Sequence, residues 1–169
     1  CEHIAENDAI KFVDDKMNIN RQQDSNWLQI IEECPTRALQ FDSKYYNLPE
    51  IMQEITKDEA FFKYGGGVTL SGGEPLFQHE FALAILKACK QKNLHTAIET
   101  SLFVKREVLA KILPYVDEFY TDLKIFDNDW HKKCTNVDNQ VIKDNLKFLL
   151  QTDKKDCVIA VSYTHLTLP

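Results

Sequence analysis

All five glycines of this 169-residue chain fall within nine consecutive positions, as Gly65-Gly66-Gly67 and Gly72-Gly73. Between them lies Val68-Thr69-Leu70, a short apolar and β-branched run, and after them comes Glu74-Pro75. Glycine admits positive φ and lets a ligand or another backbone approach closely. The segment therefore reads as a strand entered and left through main chain that no side chain shields. A helical period follows at once, and a strand running into a helix is the unit of a parallel sheet.

The rest of the chain repeats that unit. Leu48, Ile51, Met52, Ile55 and Phe62 share one face, so a helix is expected from about Leu48 to Phe62, with Pro49 in its first turn. Phe81, Ile85 and Cys89 mark a second helix, and His95 to Thr100 the next strand. Val104, Val108, Leu109 and Ile112 predict a third helix ended by Pro114, and Glu118 to Ile125 a third strand. Val141, Ile142, Leu146 and Leu149 line a fourth helix, and Val158 to Val161 is a fourth strand. Residues 1–45 are polar and weakly periodic, with brief extended runs at Ala9–Val13 and Ala38–Phe41.

A net charge of −6 argues against a duplex nucleic-acid binder, which carries a basic footprint. No run approaches the roughly 18 apolar residues of a membrane span. Five cysteines at wide spacing do not make a disulfide scaffold, and a reducing, cytoplasmic location is expected. The opening residue is Cys1 and not a methionine, which reads as a cut or processed end. Cleavage of a lipoprotein before Cys1 is the less favoured account.

Ligands of parallel sheets bind at the carboxyl ends of the strands. That rule selects Ser71 to Pro75, Glu99-Thr100-Ser101 and Asp122-Leu123-Lys124. Bare backbone at Gly72 and Gly73, beside the charge of Glu74, suits an amino acid's ammonium or carboxylate. A plain strand–turn–helix link would need no ligand. Glu99 could equally be a capping or solvated residue. Asp122 and Lys124 share one side of their strand, so they either pair with each other or cradle a zwitterion.

The run Tyr64 to Leu76 resembles the glycine-rich segment of glycyl-radical-enzyme activating enzymes, in the radical S-adenosylmethionine (SAM) superfamily. The resemblance continues through Ala97 to Ser101 and Phe119 to Ile125. It extends to His131, Thr135, Asn139, Ile142 and Asn145, similar to the family's His-x3-Thr-Gly-x2-Asn segment. It implies an α/β fold, a partial radical-SAM (β/α) barrel of parallel strands over residues 46–161. It also implies a [4Fe–4S] cluster that reductively cleaves SAM to a 5′-deoxyadenosyl radical, which takes hydrogen from a glycine of a partner glycyl radical enzyme. A flavodoxin- or ferredoxin-type donor would supply the electron. By the same resemblance Gly72, Gly73, Glu74, Asp122, Leu123 and Lys124 would bind SAM. Glu99, Thr100 and Asp122, with the Tyr120 carbonyl, match a monovalent-cation site.

Residues 1–45 resemble a ferredoxin-like insert. Cys34-Pro35 looks like the end of a Cys-x2-Cys-x2-Cys-x3-Cys-Pro run, and Cys1 like the last ligand of an earlier one. The positions that should complete the run before Cys34 hold Asp24, Trp27 and Ile30, so that auxiliary [4Fe–4S] site reads as degenerate and Cys34 as a relic. The Cys-x3-Cys-x2-Cys motif of the catalytic cluster does not occur in these residues. Leu102 and Asn136 stand where the family has glycine, and residues 162–169 match no family segment and read as an artefactual tail. The chain is thus expected to be an inactive middle portion of an activase. The alternative is a non-catalytic SAM-binding or electron-transfer module that has lost its clusters.

Overall fold

The structure, a computed structural model, describes residues 2–23, 25–41 and 43–161, the last two of these by backbone alone. Cys1, Asp24 and the expected tail at 162–169 lie outside the described residues. The chain divides into two compact units, Cys1–Tyr45 and Tyr46–Pro169.

In the first unit, β1 (Ile10–Val13) and β2 (Lys16–Ile19) form an antiparallel hairpin. Asp14 and Asp15 close it with φ of 51° and 58°. Two positive φ values make the type I′ geometry that suits two-residue hairpins. A short helix, α1 (Trp27–Glu32), follows. Ala9, Ile10, Ile30 and Cys34 are the buried apolar residues here. The extended run expected at Ala38–Phe41 is irregular chain, while β2 arises from pairing that no local alternation announces.

The second unit starts at α2 (Leu48–Thr56), where Asn47 and Glu50 form a capping box and Pro49 occupies the first turn. The expected single helix to Phe62 is broken, with α3 (Glu59–Phe62) as a separate turn. Thr56 Oγ1 donates back to the Met52 and Gln53 carbonyls, both at 3.0 Å. Such back-bonding competes with helix continuation.

Four parallel strands follow in sequence order: β3 (Gly67–Leu70), β4 (His95–Thr100), β5 (Glu118–Asp122) and β6 (Val158–Val161). Between them run α4 (His79–Gln91), α5 (Arg106–Ile112), α6 (Asn128–Thr135) and α7 (Gln140–Leu150). β5 stops three residues before the expected Ile125, because its ladder with β4 ends at Thr121 and its ladder with β6 ends at Asp122. Without partners, the backbone leaves the sheet. α6 was not foreshadowed by apolar periodicity. Asp127 caps it through Trp130 N, and Asn136 ends it in the left-handed region at φ 62°, a conformation asparagine tolerates.

One sheet face is apolar and packs under helices. Leu86, Ile98, Leu109, Phe119 and Leu149 are fully buried there. Such side chains contribute about 1.5–3 kcal/mol each. A second cluster joins Met52 of α2 to Ile85 and Cys89 of α4. The other face carries Thr69, Glu99, Tyr120 and Asp122, none of them buried. Among the described residues no helix is long and apolar enough to cross a membrane.

Two contacts hold the amino end of the sheet in register. An added Cβ on Gly67 would clash with the backbone carbonyl of His95, its ladder partner. Asp117 Oδ2 accepts from Thr96 N at 2.8 Å, from Thr96 Oγ1 at 3.1 Å and from Lys90 Nζ. Burial raises the Asp117 carboxyl, but the hydrogen bonds from Lys90 and Thr96 outweigh it and hold the group below its ordinary value.

Gly67→Ala is expected to destabilise the chain by about 1–3 kcal/mol through overpacking against backbone. Gly73→Ala, whose Cβ would meet nothing within 4 Å, is its control. Equal urea midpoints for the two variants would remove the register argument. Asp117→Asn is expected to cost about 2 kcal/mol at neutral pH, as a hydrogen-bonded charge is lost. A carboxyl whose folded pKa is depressed stabilises above its unfolded value of about 3.9 and loses that contribution as pH falls through the folded value. The gap between wild type and Asp117→Asn should therefore close below about pH 4. A gap that is constant on acidification would contradict it.

Candidate functional site

Parallel register brings the carboxyl ends of β3, β4 and β5 to one edge, and with them the three polar segments picked out above. Side chains tie the first two of these segments to each other, and the third shares a cavity with Glu99. Glu74, just past β3, places its carboxylate against the exit of β4. Its Oε1 accepts from Thr100 Oγ1 at 2.7 Å and from Leu76 N at 3.1 Å. Its Oε2 accepts from Ser101 N at 2.9 Å and Ser101 Oγ at 2.6 Å. A carboxylate offers about four lone-pair sites, so these donors occupy them all. In this structure Glu74 shapes the glycine loop by tying its far end to β4.

The loop itself is bare. Gly72 has φ of +115°, and a Cβ on Gly72 or Gly73 would meet nothing within 4 Å. Gly72 is thus demanded by backbone conformation, and the space in front of both residues is open. One residue earlier, Ser71 Oγ donates to Glu99 Oε2 at 2.6 Å, a second tie between β3 and β4. Glu99 lines a cavity of about 290 Å³ on the open sheet face, together with Thr69, Tyr120 and Asp122.

Asp122 and Lys124 form an ion pair at 3.1 Å. Pairing between a half-buried carboxylate and an exposed ammonium is weak, about 1 kcal/mol or less. A ligand could open it. Leu123 between them packs its partly buried side chain against the core. Thr100 points to the opposite sheet face from Glu99 and is 3% exposed. Its Oγ1 is committed to Glu74 and to Leu102 N. Glu99 and Asp122 are therefore the carboxylates of the candidate cation set that share a cavity. Tyr120 lines the same cavity. Its hydroxyl donates to Glu118 Oε2 at 2.9 Å, and this bond holds the Tyr120 proton on above its ordinary value.

Ser71 opens the first strand-end segment selected from sequence, but its bond to Glu99 and the place of Tyr120 at the cavity were not expected there. Both follow from side-chain alternation, because Thr69 and Ser71 continue the face of Glu99, Tyr120 and Asp122. The clamp of Ser101 and Thr100 on Glu74 had no sequence signal, since it joins residues 26 and 27 positions apart.

The described cysteines, Cys34, Cys89, Cys134 and Cys157, are free. Cys89 is buried in the α2–α4 cluster, and burial pushes its thiol up. Cys34 is 6% exposed, and a backbone hydrogen bond from Leu39, helped by donors at Thr36 and Ala38, lowers its thiol. No three His, Cys, Asp or Glu side chains among the described residues are grouped to hold a metal ion. Ile30, at an expected ligand position, is fully buried, and Trp27 donates Nε1 to the Gln23 carbonyl.

The sequence model of the Radical SAM superfamily matches residues 34–169. The 4-hydroxyphenylacetate decarboxylase activating enzyme of Clostridioides difficile is 38% identical over 156 residues, 90% of this chain and 49% of that protein. The (2S)-3-sulfopropanediol dehydratase activating enzyme of Klebsiella oxytoca is 35% identical over 164 residues, 95% of this chain and 51% of its own length. The choline trimethylamine-lyase activating enzyme of Oleidesulfovibrio alaskensis is 43% identical over 118 residues, 69% of this chain and 38% of its own. A crystal structure of a domain of pyruvate-formate lyase-activating enzyme from Bacteroides vulgatus superposes with a TM-score of 0.51 at 32% identity, covering 58% of this chain and 60% of that one. The chain spans about half the length of the first of these relatives. A parallel α/β sheet with three polar strand exits at one edge, a superfamily match over most of the chain and the three activating enzymes named above lead to one conclusion: the chain belongs to the radical SAM superfamily.

Proposed function

We propose that this chain is the SAM-binding part of a glycyl-radical-enzyme activase. The observation that carries this reading is the strand-exit edge. It offers bare glycine backbone, two carboxylates facing one cavity and an ammonium in a weak ion pair, a donor set matched to the zwitterionic end of SAM. Gly72 and Gly73 would hold the ligand's ammonium through their carbonyls, with Glu74 fixing the loop. Lys124, released from Asp122, would face the carboxylate, and the Leu123 backbone would close the pocket. Glu99 and Asp122, with the Thr100 and Tyr120 main chain, would hold a monovalent cation beside it.

When bound, SAM and a reduced [4Fe–4S] cluster supply a radical that removes hydrogen from a glycine of a partner glycyl radical enzyme. This chain's own residues bind and orient SAM. Its described residues do not fit the catalytic cluster, which needs thiolates, so no step at the cluster is assigned to them. A flavodoxin- or ferredoxin-type protein would donate the electron, in a reducing cytoplasm that suits free thiols.

Residues 1–45 would be a ferredoxin-like insert with one of its two clusters lost. In two-cluster ferredoxins the fourth cysteine of one run ligates the other cluster. By that rule Cys34, which its own broken run marks as a relic, would instead serve the cluster of the preceding run through its amide-lined thiol, and Ile30 and Trp27 would stand where the lost cluster's ligands belong.

Titration calorimetry of SAM against the 169-residue chain should show binding. Gly72→Val should weaken it about tenfold or more by straining a residue at positive φ. Absence of binding by the wild type would overturn the proposal. After anaerobic iron reconstitution, the chain alone should form no 5′-deoxyadenosine. Appearance of that product would show that these residues do hold a catalytic cluster.

A further inference from the structure

The segment from His131 to Asn145 contributes nothing to the proposed ligand contacts, yet it holds two fully or almost fully buried amides. Asn139 is 0% and Asn145 2% exposed. Asparagine is a favoured N-cap residue because its side chain accepts from the first helical amides. Asn139 sits at the N-cap of α7 and makes no such bond. Asp138 takes that part, with Oδ1 accepting from Gln140 N at 2.7 Å. Asn139 Nδ2 instead donates to the Ile125 carbonyl at 2.9 Å and the Phe126 carbonyl at 3.1 Å. Its Oδ1 is buried with no hydrogen-bond partner in the structure. A cap that gives up its capping bond and leaves an acceptor unsatisfied is explained by what its two N–H groups hold.

Asn145 repeats the arrangement on the same helix. Its Nδ2 donates to the Leu102 carbonyl at 2.9 Å and the Val104 carbonyl at 2.7 Å, and its Oδ1 accepts from Arg106 Nε at 2.8 Å. Each amide thus spends both hydrogens on one strand exit. Asn145 grips the chain just after β4, and Asn139 the chain just after β5. These are the segments that follow Glu99–Ser101 and Asp122–Lys124, and neither has ladder partners of its own there. His131 stiffens the mount. Its Nδ1 donates to the Val137 carbonyl at 3.0 Å, and Thr135 Oγ1 donates to the His131 carbonyl at 2.8 Å, which fixes the turn into Asn139.

We infer that Asn139 and Asn145 are positioning residues, a two-point clamp by which α7 sets the exits of β4 and β5 relative to each other without touching the ligand. The ligand part of this inference rests on the SAM reading above. The clamp itself does not.

Hydrogen exchange read by mass spectrometry, paired with SAM titration, tests both parts on the same 169-residue chain. Asn139→Ala should speed exchange across residues 123–127 and Asn145→Ala across 101–105. Each should do so by at least about tenfold, the factor implied by loss of hydrogen bonds to buried carbonyls. Exchange in β3 should be unchanged. SAM affinity should fall about tenfold in each, as for loss of a group that orients a binding residue. Ile142→Val, a core change on the same helix, should leave affinity within about twofold despite its own stability loss. If an alanine variant does not fold, the serine variant, which keeps one donor, replaces it. Exchange that rises evenly over the chain, or affinity that merely tracks stability, would overturn the clamp. Segment-specific loosening in the variants, alongside a wild type that does not bind SAM, would refute the ligand reading and uphold the clamp.

Discussion

The carboxylate of Glu74 is the contact on which the strand-exit edge depends. It takes four hydrogens, from Leu76 N, Thr100 Oγ1 and both donors of Ser101, and so leaves none of those groups unsatisfied. Removing it would orphan all four at once, which is far costlier than the net gain of any single hydrogen bond. Because Thr100 is buried, the anchor sits on the rigid side of the sheet, while Gly72 and Gly73 hang from it with open space before them. A loop held at both ends and bare in the middle has a defined shape and an accessible backbone.

The opposite end of the sheet uses the same device. Asp117 gathers Thr96 and Lys90, and so fixes where β4 begins relative to β5. Hydrophobic burial under α4, α5 and α7 supplies the stability, but it does not choose a register to the residue. The two carboxylates do. Leu102 shows the cost of that fixing: it is fully buried in the core yet held at φ 60°, a conformation that strains a side chain bearing a Cβ. The Thr100 hydroxyl and the Asn145 amide hold it there from both sides.

Much of this architecture was legible one element at a time. The strands from His95, Glu118 and Val158 and the helix through Ile85 and Cys89 lie where apolar periodicity put them. The failures have identifiable causes. The helix from Leu48 stops at Thr56, whose hydroxyl turns back on its own helix. The strand from Glu118 ends at Asp122, because strand length is decided by neighbours and not by the local run. The helix at Asn128–Thr135 is largely polar, with few apolar residues to announce it, and its caps define its ends. At the site, Asp122 and Lys124 pair as one of the two sequence alternatives allowed, and Glu99 and Asp122 share a cavity. Leu123, by contrast, turns its side chain to the core.

What the amino-acid sequence determined by itself was the repeating βα period, the placement of polar groups where apolar strands end, and the cluster of glycines beside them. Those are local properties, set by side-chain alternation and by the conformational freedom of single residues. The tertiary structure decided which of those groups meet. Glu74 with Ser101, Asn139 with Ile125 and Asn145 with Leu102 are 27, 14 and 43 residues apart. Contacts at such separation exist only once the sheet has set its register, because no local preference can hold two distant backbone groups within hydrogen-bond reach.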